Sequence, residues 1–148
     1  MKTVSTLILG LLMTTSAFTQ APESVTFAHQ IRQFLMVGDD TEKIDMSATL
    51  TADGMTFTPA KKGRSAVTIP YASISSLVYD RRSRVRKMLV GSRGNFGGKA
   101  EDHFLTIQYK TGTVGDYIEI EMGKDTAPRL LATLESRSGK QIDRASGS

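Results

Sequence analysis

The sequence has no cysteine and no tryptophan. Without cysteine there is no disulfide, no thiolate metal site, no thiol nucleophile and no thiol to carry an N-terminal lipid. Aromatic residues make up only 7% of the chain, so its core must be chiefly aliphatic, with methionine filling gaps. Histidine occurs twice, at His29 and His103, which is thin material for a metal site needing three or four converging ligands. No apolar run approaches the ~20 residues of a membrane-spanning helix. One window also lacks acidic residues altogether. From Arg81 to Lys99 there are seven basic residues and none of opposite sign, while the whole chain sets 19 basic residues against 15 acidic ones. Outside that window the balance is negative. The chain reads as a mildly acidic body carrying one basic band.

The 148 residues, 39% hydrophobic and 23% charged, suit one globular domain. Residues 1–17 read as a signal peptide. Lys2 supplies the positive start, Val4 to Met13 the short apolar run, and Thr15-Ser16-Ala17 the small residues for cleavage after Ala17. The mature protein is therefore expected in the periplasm or outside the cell; an uncleaved anchor or a buried strand is the alternative. Residues 18–43 read as a tether followed by a short helix. Phe27, Ile31, Phe34 and Leu35 fall at offsets of 0, 4, 7 and 8, a helical stripe, although the β-branched start leaves a strand open.

From Ile44 the period switches to two, with Ile44, Met46, Ala48 and Leu50 alternating with polar residues. Ala52-Asp53-Gly54 predicts a turn, on the ground that Asp-Gly tolerates positive φ, and Met55–Thr58 returns as a second strand. Val67–Lys87 carries both core-forming residues (Ile69, Ile74, Leu77) and the start of the arginine run, with Pro70 marking a strand end. Phe104–Lys110 and Val114–Met122 form another hairpin around Thr111-Gly112-Thr113. Last comes a helix, capped by Asp125 or Thr126, with Pro128 in its first turn, Ala127, Leu130, Leu131 and Leu134 as its apolar stripe, and Gly139 as its stop. Residues 144–148 read as a frayed tail.

Sequential hairpins followed by one amphipathic helix describe a mainly β (α+β) fold, an antiparallel sheet that needs a cover. The strand–turn–strand of Ser47–Phe57, then Ile69-Pro70-Tyr71 with Ile74 and Tyr79, then His103-Phe104-Leu105-Thr106-Ile107, and the closing phrase Leu131–Gly139, together resemble the bacterial PH-like (GRAM-like) domains over about residues 44–143. That resemblance implies a partly open antiparallel barrel of six to seven strands capped by the C-terminal helix. The seventh strand would come from Val85–Val90 or from the N-terminal stripe. It also implies binding of lipids or peptides rather than catalysis, with no cofactor. The basic signature that phosphoinositide-binding members carry around the first hairpin loop is missing, since that loop is Thr51-Ala52-Asp53-Gly54. The nearest basic loop is Lys61-Lys62-Gly63-Arg64.

The candidate contact surface is Arg81, Arg82, Arg84, Arg86, Lys87 and Arg93, because guanidinium groups grip phosphate and carboxylate through planar paired donors. An anionic lipid surface or an acidic protein is the expected partner. Nucleic acid is not, since only Phe96 interleaves the band. The alternative is a solvated run whose arginines pair with Asp80, Glu101, Asp102 or Glu119. Glu101-Asp102-His103 is the one place where histidine meets carboxylates, and strand geometry leaves at most Glu101 and His103 on one face. No Gly-x-Ser-x-Gly occurs, so a hydrolase is disfavoured. Glu119 and Glu121 share a strand face and are expected to be solvated or to pair with the arginines. A further alternative is an envelope assembly subunit that pairs through an exposed strand edge.

Overall fold

In the computed structural model, residues 23–84 and 100–145 are described. Residues 1–17, read as a signal peptide, and the glycine-rich stretch 91–98 lie outside them. The alternating segment from Ile44 is strand β2 (Asp40–Leu50), which turns into β3 (Gly54–Pro59), and β3 pairs with β4 (Val67–Pro70). A 3-10 turn, Tyr71–Ser73, leads into β5 (Ile74–Arg84). The second half of the sheet is β6 (Ala100–Thr111) and β7 (Val114–Met122). Helix α1 (Ala127–Ser138) follows, and then a two-residue strand, β8 (Asp143–Arg144).

The segment read as a helix is instead a strand, β1 (Val25–Val37), paired antiparallel with β2 and, over three residues, with β7. The reason is arithmetic. Offsets of 4 and 8 satisfy a period of two as well as one of 3.6, and only Phe34 at offset 7 favoured the helix. Phe34 lies on the opposite face of the strand, its ring centroid 6.1 Å from that of Phe104. The register breaks between Phe27 and Ile31, where three β1 residues bulge against one of β2, and Gln30 there adopts φ 63°. Thus β1 supplies the extra strand that the resemblance required.

The described strands make one sheet in the order β4-β3-β2-β1-β7-β6-β5-β8, antiparallel except for β5–β8. The sheet curls until its two ends face a shared interior. Ile69 of β4, Phe57 of β3, Leu105 and Ile107 of β6 and Ile120 of β7 are each fully buried in one cluster. Leu130, Leu131 and Leu134 of α1 enter that same cluster and plug the open end. Fully burying such a side chain stabilises by about 1.5–3 kcal/mol, so the helix is held by its stripe more than by its caps. Thr126 occupies the N-cap, but its hydroxyl donates to the His29 carbonyl in the β1 bulge at 3.4 Å, tying the helix start to the sheet. Gly139 ends the helix in the left-handed region at φ 65°.

The tail does not fray at residue 144. Ile142 is buried against the core, and Asp143 and Arg144 then run parallel to Val78 and Tyr79, with the Ala145 N–H donating to the Tyr79 carbonyl at 3.0 Å. The buried Ile142 anchors this short strand, which is why a polar sequence pairs there. No helix among the described residues is long and apolar enough to cross a membrane.

Candidate functional site

The basic band begins at the end of β5, and a strand sends successive side chains to opposite faces. Arg81 and Arg82 therefore part company. The backbone of Arg84 belongs to β5, while Arg86, Lys87 and Arg93 lie outside the described residues.

Arg82 faces outward and is already engaged. Its guanidinium lies 3.0 Å from the Asp80 carboxylate and 3.2 Å from that of Glu119, and it sits 4.3 Å over the Phe104 ring. The hydrogen bonds it donates to Glu119 raise its pKa above the ordinary arginine value, and that to Asp80 adds to them. Glu119 also accepts from Thr106 at 3.2 Å. Lys43 continues the row over Phe34 at 5.0 Å. Arg82 thus clamps the outer face of β5, β6 and β7, and Glu119 is its partner rather than half of an acid–base pair. Arg82→Ala is expected to cost about 1 kcal/mol, the sum of a partly exposed ion pair and a surface cation–π contact. Urea unfolding of both proteins checks this.

The basic loop after β3 is likewise occupied. Lys61 and Arg64 both pair with Glu42. The hydrogen bond from Lys61 holds the Glu42 carboxyl below its usual range, with charge from Lys61 and Arg64 adding to the effect.

Arg81 points the other way, into a hollow of about 440 Å³ between β5, β8 and the start of α1. Lys124, from the link between β7 and α1, and Arg144, from β8, line it with Arg81. Tyr79 and His103 complete the polar wall, and Pro128, Leu131 and Ala145 form the apolar part. Among the described residues, no carboxylate lines this hollow. Arg81 reaches Glu101 only at 3.9 Å, Arg144 pairs with Glu135 at 3.0 Å, and Lys124 makes no ion pair among the described residues. The Tyr79 hydroxyl lies 2.6 Å from His103 Nδ1. Burial pushes the Tyr79 phenol pKa up, against the pull of Arg81 and Arg144, so the hydroxyl keeps its proton at neutral pH.

A larger hollow, about 630 Å³, lies beside it at the β1 bulge, between Gln30, Arg32, Glu101, Asp102, Glu121 and Asp125. It shares His103 and Lys124 as a common wall. Its charges are mixed, and no three His, Asp or Glu side chains among the described residues gather to hold a metal. Size alone favours this hollow, but charge of one sign favours the smaller one.

Arg81 faces the cationic hollow, whereas Arg82 is exposed on the other face and paired with Asp80 and Glu119. Lys124 and Arg144 escaped the sequence reading because neither belongs to a run of charge. Only the return of the tail beside β5 brings Arg144 to Arg81.

No family model matches this sequence, and no curated protein matches it. Solved structures do. A chain from the structure of the Spt16D Pob3N heterodimer superposes with a TM-score of 0.51 at 10% sequence identity, covering 87% of this chain and 58% of that one. The chain spans a little over half the length of that neighbour. At this identity the likeness speaks for the fold alone, and the architecture is PH-like: a curled, open, antiparallel-rich sheet with one C-terminal helix.

Proposed function

We propose that the protein is an exported, non-enzymatic binding module that takes an anionic group, phosphate or carboxylate, between Arg81, Lys124 and Arg144. The observation that carries this reading is the convergence of three cations from three separate segments on one hollow whose described lining has no carboxylate. Each cation held near an anionic surface adds about 1 kcal/mol. The PH-like fold supports a recognition role by analogy, and the assembly of the Spt16D Pob3N neighbour as a heterodimer points the same way. Kinship with the bacterial GRAM-like branch, and export through residues 1–17, belong to the same proposal.

Vesicle sedimentation provides the test. The protein is expected to sediment with vesicles containing phosphatidic acid and to stay in solution with phosphatidylcholine alone, with the difference shrinking at high salt. An acidic peptide at the same charge concentration forms the second arm and separates a lipid from a protein source. The triple replacement Arg81→Ala, Lys124→Ala and Arg144→Ala should weaken whichever binding is found by roughly 100-fold, the equivalent of three surface cations. Equal partitioning onto both vesicle types together with indifference to the acidic peptide would rule the reading out.

A further inference from the structure

The seam between β1 and β7 is short. Three register pairs form it: Ile31 with Met122, Arg32 with Glu121, and Gln33 with Ile120. Both strands then run on, β1 to Val37 and β7 back to Val114, each paired only with its hairpin partner. Continued in register, Met36 would stand opposite Tyr117, but no pair forms there. Among the described residues, Phe34–Val37 and Val114–Glu119 thus each present an unpaired strand edge to the other.

Among the described residues, the exposed large apolar side chains are concentrated on these two edges. The large hydrophobic side chains left exposed among the described residues are Met36 at 74%, Val37 at 55%, Val114 at 67% and Tyr117 at 69%. Scattered single exposures would need no account, but four on facing edges do. The outer edges of the sheet are blunted, β4 by its four-residue length and Pro70, and β8 by having two residues. The β7 edge has neither lysine nor proline between Val114 and Glu119 to guard it. The Tyr117 N–H donates to the carboxylate of Asp116 at 2.8 Å, a local stand-in for the partner that the edge lacks.

We propose that this fork is a docking site for one extended segment of a partner protein, which adds as a strand along Val114–Glu119 and carries basic residues beside apolar ones. Backbone pairing supplies the affinity in such strand addition, and alternate side chains supply the choice. Met36, Val37, Val114 and Tyr117 offer the apolar contacts. Asp39, Asp40 and Asp116 set the sign: no lysine or arginine lies between Phe34 and Asp40 or between Val114 and Glu119. An antiparallel second copy centred on Asp116 and Tyr117 would bring the two Asp116 carboxylates close together, so a basic partner fits this edge better than a symmetric dimer.

The test uses the full chain and an eight-residue peptide alternating valine and lysine, with its valine–glutamate counterpart and a version of the first carrying proline at its centre. The lysine peptide is expected to slow amide exchange within Val114–Glu119 and to bind at least 10-fold more tightly than the glutamate peptide, while the proline version fails to bind. Met36→Ser with Tyr117→Ser, both at exposed positions and so leaving the core intact, should weaken the lysine peptide at least 5-fold. Asp116→Asn should narrow the discrimination between peptides. Lys124→Ala should leave the lysine peptide's affinity and its protection of Val114–Glu119 unchanged, which separates this surface from the cationic hollow. Equal protection of Val114–Glu119 by the two peptides, no binding of the lysine peptide, protection confined to other strands, or a dimer in solution whose contact protects Val114–Glu119 would each overturn the proposal.

Discussion

Leu134→Ala is expected to destabilise the protein by about 3–5 kcal/mol, at the upper end of what large-to-small core replacements cost. Leu134 is completely buried and belongs to the cluster that includes Phe57, Leu105 and Ile107. The sheet curves around this point, and among the described residues no second layer lies behind α1. Removing three carbons therefore opens a cavity at the plug itself, where β strands cannot close without breaking their ladders. Ser136→Ala on the exposed side of the same helix is the control and should change stability by less than about 0.5 kcal/mol. Urea unfolding of both variants gives the comparison. A loss below about 1 kcal/mol at Leu134 would mean that the helix is not what seals the sheet.

Gly54→Ala should be nearly as damaging, at about 2–3 kcal/mol. A methyl placed there would sit 2.7 Å from the Ile69 carbonyl oxygen and 3.1 Å from the Pro70 Cα. Both are backbone atoms of β4, so neither can swing aside. The turn is pinned from several sides. The Thr51 N–H donates to the Gly54 carbonyl at 2.9 Å, the Tyr71 N–H to the Asp53 carbonyl at 2.9 Å, and the Tyr71 hydroxyl to the Thr51 carbonyl at 3.0 Å. The contrast is Gly112, which has φ 62° and open space around it. There alanine meets only the left-handed penalty of about 1–2 kcal/mol. Thermal melts of the two variants should rank them in that order, and the reverse order would refute the account of Gly54.

Gly54 also shows where sequence reading reached its limit. Asp53-Gly54 was legible as a turn, but for the wrong reason: Gly54 is not in the positive-φ region, and it is glycine because β4 passes against it. Local chemistry announces a turn, whereas the close approach of a strand more than ten residues away announces nothing. The hairpins were legible because one face meets the core and the other meets water, which forces a period of two on Ile44–Leu50 and on Ile118–Met122. The helix stripe was legible for the equivalent reason. β1 was not, because its buried residues fall four apart, a spacing common to both periods. β8 was not, because two polar residues carry no period at all.

The candidate site divides along the same line. A run of arginines is conspicuous in a sequence, but a strand deals it to two faces, and the outward face already held Asp80 and Glu119 for Arg82. Arg81 gained its companions from Lys124 and Arg144, which are 43 and 63 positions further along. Such a grouping is a product of topology, and only the completed sheet displays it.

The seam between β1 and β7 has a kinetic meaning as well. Hairpins such as β6–β7 close over a handful of residues and can form early. Joining Ile31 to Met122 must gather about ninety residues of chain, whose closure entropy has to be met before the contact returns anything. With three register pairs to reward that search, the seam is set to be the last part of the sheet to zip and the first to part.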